Sequence, residues 1–358
     1  MLNKISINKD ISIAKTMPSY YYIDDYYYNS SIENIFKNSW QFIIDANSLK
    51  SKIYPFTFLK DSVNEPLLLI NEDNHYRCLS NVCTHRGNLL YAKKSNSNNI
   101  RCEYHGRIFD FKGKFLSCPG FKNVKNFPSK EDDLNKIELK VWNNFIFTSL
   151  NQFIDISDVL EDINNRLGWY PFNKLRYDDS CSNTYQIDAN WAIYCENYLE
   201  GFHVPFVHQG LNKDIKFDSY ITKVLNNGVL QYTLSKTKKD ALSIPSGFTD
   251  FNKDVYAYYY WLFPNLMLNF YSWGLSINII EPISKNKTRI RFLSYPIADS
   301  QQPLDTDSSL DKVEKEDQNI VLNVQKGLKS KFYNRGRYSS DYEIGVHHFH
   351  RLICKAIN

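Results

Sequence analysis

Short apolar runs separated by turn residues fill the stretch from residue 35 to 150. Pro66 to Ile70 is one such run, Glu72-Asp73-Asn74 is a polar turn, and Tyr76 to Val82 resumes the run, which predicts paired strands. Asp110 to Phe115 carries a turn at Lys112-Gly113, and Val141 to Leu150 closes the region as one further strand. From about residue 180 the pattern changes. Ala192 to His208 reads as a disturbed helix, and Val255 to Pro296 as long strands around the turn Ser284-Lys285-Asn286-Lys287. Ser308 to Tyr333 reads as an amphipathic helix, with Leu310, Val313, Ile320, Val321, Val324 and Leu328 on one face. Strands followed by helices predict an α+β arrangement: a small all-β domain over 41–150, a larger α+β domain over 151–358, and an N-terminal segment, 1–40, packed on the larger one.

A chain of 358 residues with 43% hydrophobic and 23% charged content can bury two cores. A net charge of +4 with no clustered Lys or Arg argues against a nucleic-acid partner. The N-terminus lacks the pattern of a secretory signal. The most apolar stretch, Val255 to Tyr271, is interrupted by Pro264, Asn265 and Asn269, against a membrane span. The expected compartment is therefore the cytoplasm. There are 7 cysteines, an odd number spread along the chain, so a disulfide framework is not expected and metal binding has to be considered.

Two segments carry ligand chemistry. Cys83-Thr84-His85-Arg86-Gly87 and Cys102-Glu103-Tyr104-His105-Gly106 each offer one thiolate and one imidazole, with 16 residues between His85 and Cys102. Zinc fingers usually group like ligands together, whereas a Rieske [2Fe–2S] cluster needs two cysteines on one iron and two histidines on the other. A zinc site or four unrelated buried residues is the bland alternative. The glycines closing both loops let backbone N–H groups approach the cluster sulfurs. The motif resembles that of Rieske proteins. The extra cysteine pair of the respiratory branch is missing, since Asn88 and Tyr104 stand in its place, which points to the ferredoxin and oxygenase branch. Arg107 departs from the resemblance, because oxygenases often have Trp there.

The second segment is Asn197-Tyr198-Leu199-Glu200-Gly201-Phe202-His203-Val204-Pro205-Phe206-Val207-His208. Histidines at i and i+5 on an ideal helix diverge by roughly 140°. Pro205 and Gly201 supply the distortion that would bring them together. Glu200, three residues before His203 and among apolar neighbours, needs a partner. Asp317 falls in the middle of the apolar stripe of the C-terminal helix, where an acid is costly unless paired or metal-bound, and is the expected third ligand. Glu316, at the edge of the stripe, is the fallback. A helix with two structural histidines and a chance acid is the alternative.

The segment resembles the mononuclear-iron motif of Rieske non-haem iron oxygenases, and the resemblance extends from Met17-Pro18 to His347-His348-Phe349-His350. It implies a [2Fe–2S] cluster on Cys83, His85, Cys102 and His105. It also implies Fe(II) on His203, His208 and Asp317 in a helix-grip, START-like domain whose antiparallel sheet is covered by helices, with Asn197 and Glu200 as further functional residues. Two histidines and a carboxylate leave one face of the iron open. The resemblance further implies O₂ as co-substrate, and electrons from NAD(P)H through a separate reductase or ferredoxin, since no GxGxxG loop is present. It implies a homotrimer in which Glu200 links His203 to His105 of the next chain. The run Trp261 to Gly274 looks most like the choline, glycine-betaine and carnitine monooxygenase group. Its aromatics would wrap a quaternary nitrogen, or would simply be strand core. Hydroxylation of an aromatic compound is the rival substrate reading. An electron-transfer or binding protein with a non-functional second site is the rival of another class.

Overall fold

In a computed structural model the described residues are 4–298 and 310–358. They divide into two compact units, Trp40–Gln152 and a second drawn from both ends of the chain, Met1–Ser39 with Phe153–Asn358. Among the described residues no helix is long and apolar enough to cross a membrane.

The first unit is all β. It contains β1 (Gln41–Asp45), β2 (Ile53–Phe58), β3 (Glu65–Glu72), β4 (His75–Ser80), β5 (Ile100–Arg101), β6 (Ile108–Phe109), β7 (Phe115–Ser117), β8 (Lys136–Trp142) and β9 (Phe145–Ser149). The longer strands form a sheet in the order β1-β9-β8-β4-β3-β2, and the short ones a second sheet, β5-β6-β7. The β3–β4 hairpin turns on Asp73 and Asn74, with φ of 51° and 67°. Asp and Asn adopt this left-handed region more readily than other side chains, which suits a tight hairpin. The stretch expected as one strand, Val141 to Leu150, is instead the end of β8 and all of β9. Asn143, at φ 50°, turns the chain between them and Trp142 pairs with Phe145. Ile53, Leu68, Ile70, Leu79, Ile100 and Phe109 form the core, and Cys83 and Cys102 are buried in it.

The second unit begins with α1 (Ser19–Ile23) and α2 (Asp25–Asn34), and resumes with α3 (Ser157–Leu167), β10 (Asp178–Ile187), α4 (Trp191–Tyr198), α5 (Val204–Val207) and α6 (Leu211–Asp214). Strands β11 (Ile215–Leu225), β12 (Gly228–Ser235), β13 (Val255–Leu262), β14 (Leu266–Phe270), β15 (Gly274–Ser284) and β16 (Lys287–Pro296) follow, then α7 (Leu310–Gly327) and α8 (Ile344–Ile357). The seven strands pair antiparallel as β10-β16-β15-β14-β13-β12-β11. Helix α4 packs on β15 and on α7, while α8 packs on β11 and α2. The whole is the α+β arrangement of an antiparallel sheet covered by helices. Trp191 joins these layers, its ring meeting Phe36 at 4.8 Å and Phe349 at 5.6 Å.

Helix α7 is shorter than its apolar periodicity suggested. Ser308 and Ser309, and the side chain of Leu310, lie outside the described residues. At the other end the helix stops at Gly327, not Tyr333. Glycine is a poor helix former, and beyond it Lys329 and Ser330 donate backward to Lys326 and Gly327 in i→i−3 turns. Nor is its apolar face uniformly buried. Val321 and Leu328 are buried, but Ile320 and Val324 are exposed, because they line a cavity of about 330 Å³ instead of meeting packed side chains.

Candidate metal centres

In the β unit the two Cys/His loops are built alike. Cys83 N–H donates to Asn88 O and Gly87 N–H to Cys83 O, at 2.9 and 3.0 Å. In the second loop Cys102 N–H donates to Arg107 O and Gly106 N–H to Cys102 O, at 2.8 and 3.0 Å. Gly87 and Gly106 sit at φ 69° and 73°, where a side chain would be strained. The closing residue of each loop reaches across to the other. Asn88 Nδ2 donates to Cys102 Sγ at 3.6 Å, and an Arg107 Nη donates to Thr84 Oγ1 at 2.8 Å.

The loops bring both cysteines, each 2% exposed, beside two imidazoles whose ring centroids are 4.6 Å apart. Burial pushes the Cys83 thiol up. Burial acts the same way on Cys102, but N–H groups of Tyr104 and His105, with Cys83 and Asn88, outweigh it and the net shift is downward. His85 is held below its ordinary value by burial and by the neighbouring charges of His105, Arg107 and Arg86. Its Nδ1 is buried and has no hydrogen-bond partner among the described residues. An orphaned imidazole nitrogen, a second imidazole and two buried thiols are the donor set a [2Fe–2S] cluster of Rieske type requires.

In the second unit the disturbed helix resolves into α4, a turn over Leu199 to His203, and the single-turn α5. His203 and His208 are the residues that flank α5 on either side. Pro205 does not bend a continuous helix. It sits in the first turn of α5, where its missing N–H costs nothing. Gly201 is needed for space: a Cβ there would lie 2.5 Å from the Tyr220 ring.

The two imidazoles meet. His203 Nε2 and His208 Nε2 are 3.2 Å apart, and Asp317 Oδ1 lies 3.0 Å from the latter and 3.7 Å from the former. These donors all fall within 4.8 Å of one another, as ligands of a single cation would. The opposite nitrogens are tied to carboxylates, His203 Nδ1 to Glu200 at 2.6 Å and His208 Nδ1 to Glu316 at 2.8 Å. Glu316 therefore stands behind His208, away from the point where the donors converge. Asn197 donates from Nδ2 to Asp317 Oδ1 at 2.7 Å. Burial alone would lower the His208 pKa, but Asp317 and Glu316 outweigh it and the shift is upward. His347 and His350 serve elsewhere, paired with Asn8 O and with Glu196 and Tyr338.

A cavity of about 110 Å³ opens on this cluster. Its walls include Tyr194, Tyr198, Tyr220, Tyr256, Tyr259 and Tyr271, with Glu314, Asn269 and Asn278, and no Lys or Arg among the described residues. Burial raises the Tyr198, Tyr259 and Tyr271 phenols, which keeps them neutral. Of the aromatic run Trp261 to Gly274, Tyr271 lines the cavity, whereas Trp261 and Phe263 pack on Phe349 in the core. The wall residues Tyr256 and Tyr259 precede that run. An irregularity in the β12–β13 register, which passes over Tyr256, puts both on one face against strict alternation. Sequence periodicity gave no signal for it.

Residues 169–358 match the family described as the ring hydroxylating alpha subunit (catalytic domain), and residues 39–128 match the Rieske [2Fe-2S] domain. Choline monooxygenase of Beta vulgaris is 27% identical over 94% of this chain and 76% of that protein. The carnitine monooxygenase oxygenase subunit of Escherichia coli is 28% identical over 96% of this chain and 94% of that one. Among solved structures, the quaternary ammonium Rieske monooxygenase CntA with L-carnitine superposes with a TM-score of 0.77, at 21% identity over 100% of both chains. Naphthalene 1,2-dioxygenase with indole superposes at 0.69, with 16% identity over 99% of this chain and 95% of that one.

Proposed function

Since the chain belongs to the family of ring-hydroxylating alpha subunits, Rieske non-haem iron oxygenases with a [2Fe–2S] domain ahead of the catalytic one, we propose that it hydroxylates the carbon next to the nitrogen of a small quaternary ammonium compound. The observation that carries this reading is the cavity: a tyrosine-walled space with a carboxylate in its wall opens directly on His203, His208 and Asp317. In this reading those three side chains hold the catalytic Fe(II), and Cys83, His85, Cys102 and His105 hold the cluster. These cofactors supply one-electron transfer and O₂ activation, with electrons drawn from NAD(P)H by a partner reductase.

The chain's own residues orient the donors. Glu200 and Glu316, each bonded to an imidazole Nδ1, fix the ring planes and leave Nε2 free to bind. Asn197 holds the Asp317 carboxylate on the same point. The neutral phenol rings attract a cation to their faces, and Glu314, which accepts a hydrogen bond from Tyr194, places a carboxylate in the wall. Tyr198 is held in place by donating to Asn269 Oδ1 at 2.6 Å. With no Lys or Arg among the described residues of the lining, a substrate whose only charge is the cation suits this cavity better than one that also carries a carboxylate.

We also read Glu200 as the bridge that takes electrons from His105 of a neighbouring copy in a homotrimer to His203. Its contact with His203 Nδ1 and its partly exposed edge support this. A structure of the related CntA is described as giving insight into inter-subunit electron transfer.

The test is coupled NADH and O₂ consumption by purified protein with a generic reductase, over choline, carnitine and an aromatic acid. Choline is expected to give the largest kcat/KM. Turnover confined to the aromatic acid would reject the quaternary ammonium reading. Iron bound only in the amount the cluster accounts for would reject the mononuclear site.

A further inference from the structure

Arg107 closes the second cluster loop, and its side chain is 2% exposed. An unpaired cation so deeply buried would be costly. Here an Nη donates to Thr84 Oγ1 at 2.8 Å and lies 3.3 Å from Asp132 Oδ1. The guanidinium also sits over the rings of Phe115, Phe121 and Phe127, at 5.0, 5.4 and 5.4 Å. Phe121 in turn meets the His85 ring edge-on at 5.3 Å. Thr84 is the residue between the ligands Cys83 and His85. A single buried residue thus links both ligand loops, through its own backbone in the second and through Thr84 in the first.

Reducing the cluster by one electron adds a negative charge to it. A fixed positive charge in a low-dielectric shell favours that change, and the potentials of iron–sulfur clusters follow the charge and hydrogen bonding around them. Asp132 opposes the effect, but it is the more exposed member of the pair, at 18% against 2%.

We propose that Arg107 is a positioning residue for the Rieske centre, which clasps the two ligand loops through Thr84 and whose buried charge holds the cluster's reduction potential up. The inference rests on the assignment of Cys83, His85, Cys102 and His105 as cluster ligands, and not on the choice of substrate.

The experiment is a redox titration of the full-length holoprotein, followed by the visible and EPR signals of the cluster, for wild type, Arg107→Gln, Arg107→Lys and Asp132→Asn. Arg107→Gln is expected to lower the equilibrium constant for one-electron reduction about tenfold, which is about 59 mV. Arg107→Lys should keep most of the wild-type potential. Asp132→Asn, which leaves the guanidinium uncompensated, should shift it upward. A purely structural clasp predicts loss of cluster without these opposite shifts. An unchanged midpoint in Arg107→Gln, or a downward shift in Asp132→Asn, overturns the proposal. Should Arg107→Gln fail to hold a cluster, the sign in Asp132→Asn alone decides. Wild-type protein without a Rieske signal would instead overturn the ligand assignment on which the proposal stands.

Discussion

The two candidate centres are assembled in opposite ways. In the β unit all four donors come from two short loops, each closed by its own backbone hydrogen bonds and a glycine with positive φ. In the α+β unit two donors flank one helical turn, and the third, Asp317, comes from a helix 109 residues beyond His208. The first site is local, with its two thiols buried in a strand core, His85 partly buried and His105 exposed. The second depends on α7 packing on α4, and on the carboxylates Glu200 and Glu316 that hold the histidines from behind. A locally built site tolerates change at a distance. A site assembled from remote elements transmits small shifts in packing to its metal geometry.

The separation of the two centres can be tested by breaking one at a time. His203→Ala is expected to leave the cluster absorption unchanged and to abolish turnover, a loss of at least about a thousandfold against the one barrier the site lowers. Cys102→Ser should do the converse to the metals, removing the cluster spectrum while one iron per chain still binds. Loss of both metals in either variant would show that the centres are not independent.

Within the second site, Asp317→Ala should abolish binding of the mononuclear iron, measured by metal analysis after desalting. Glu316→Gln should weaken it only by about 10- to 100-fold, the usual cost of removing a group that orients a ligand. Equal losses would mean that Glu316 is itself a ligand.

Gly201→Ala tests transmitted packing. The new methyl meets the Tyr220 ring at 2.5 Å, two residues from His203 and in the cavity wall. We expect kcat to fall roughly tenfold, in line with the sensitivity of catalysis to small misplacements. The cluster signal should be unaffected.

The smallest effect belongs to the local site. Asn88→Leu removes one N–H···S contact to Cys102 but no loop-closing bond. The cluster should remain, with its potential lowered by less than in Arg107→Gln, as a redox titration would measure.

The sequence by itself determined the fold class and the types of the candidate ligands. The Cys-x-His and Cys-x-x-His loops were legible because their geometry is local: a thiolate, an imidazole and a turn glycine within five residues leave little freedom. The β unit, the long antiparallel strands and the helix carrying Asp317 followed from hydrophobic period. Tertiary structure alone decided the rest. Only the packing of α7 on α4 set Asp317 toward both Nε2 atoms and Glu316 behind His208, since neighbours on a helix differ by about 100° and no periodicity says which of two adjacent acids a remote histidine meets. Only the β12–β13 register placed Tyr256 and Tyr259 in the cavity while Trp261 went to the core. Which residues can hold iron is written in short stretches of chain. Where their lone pairs converge, and what shape of space is left beside them, depends on contacts between segments a hundred residues apart.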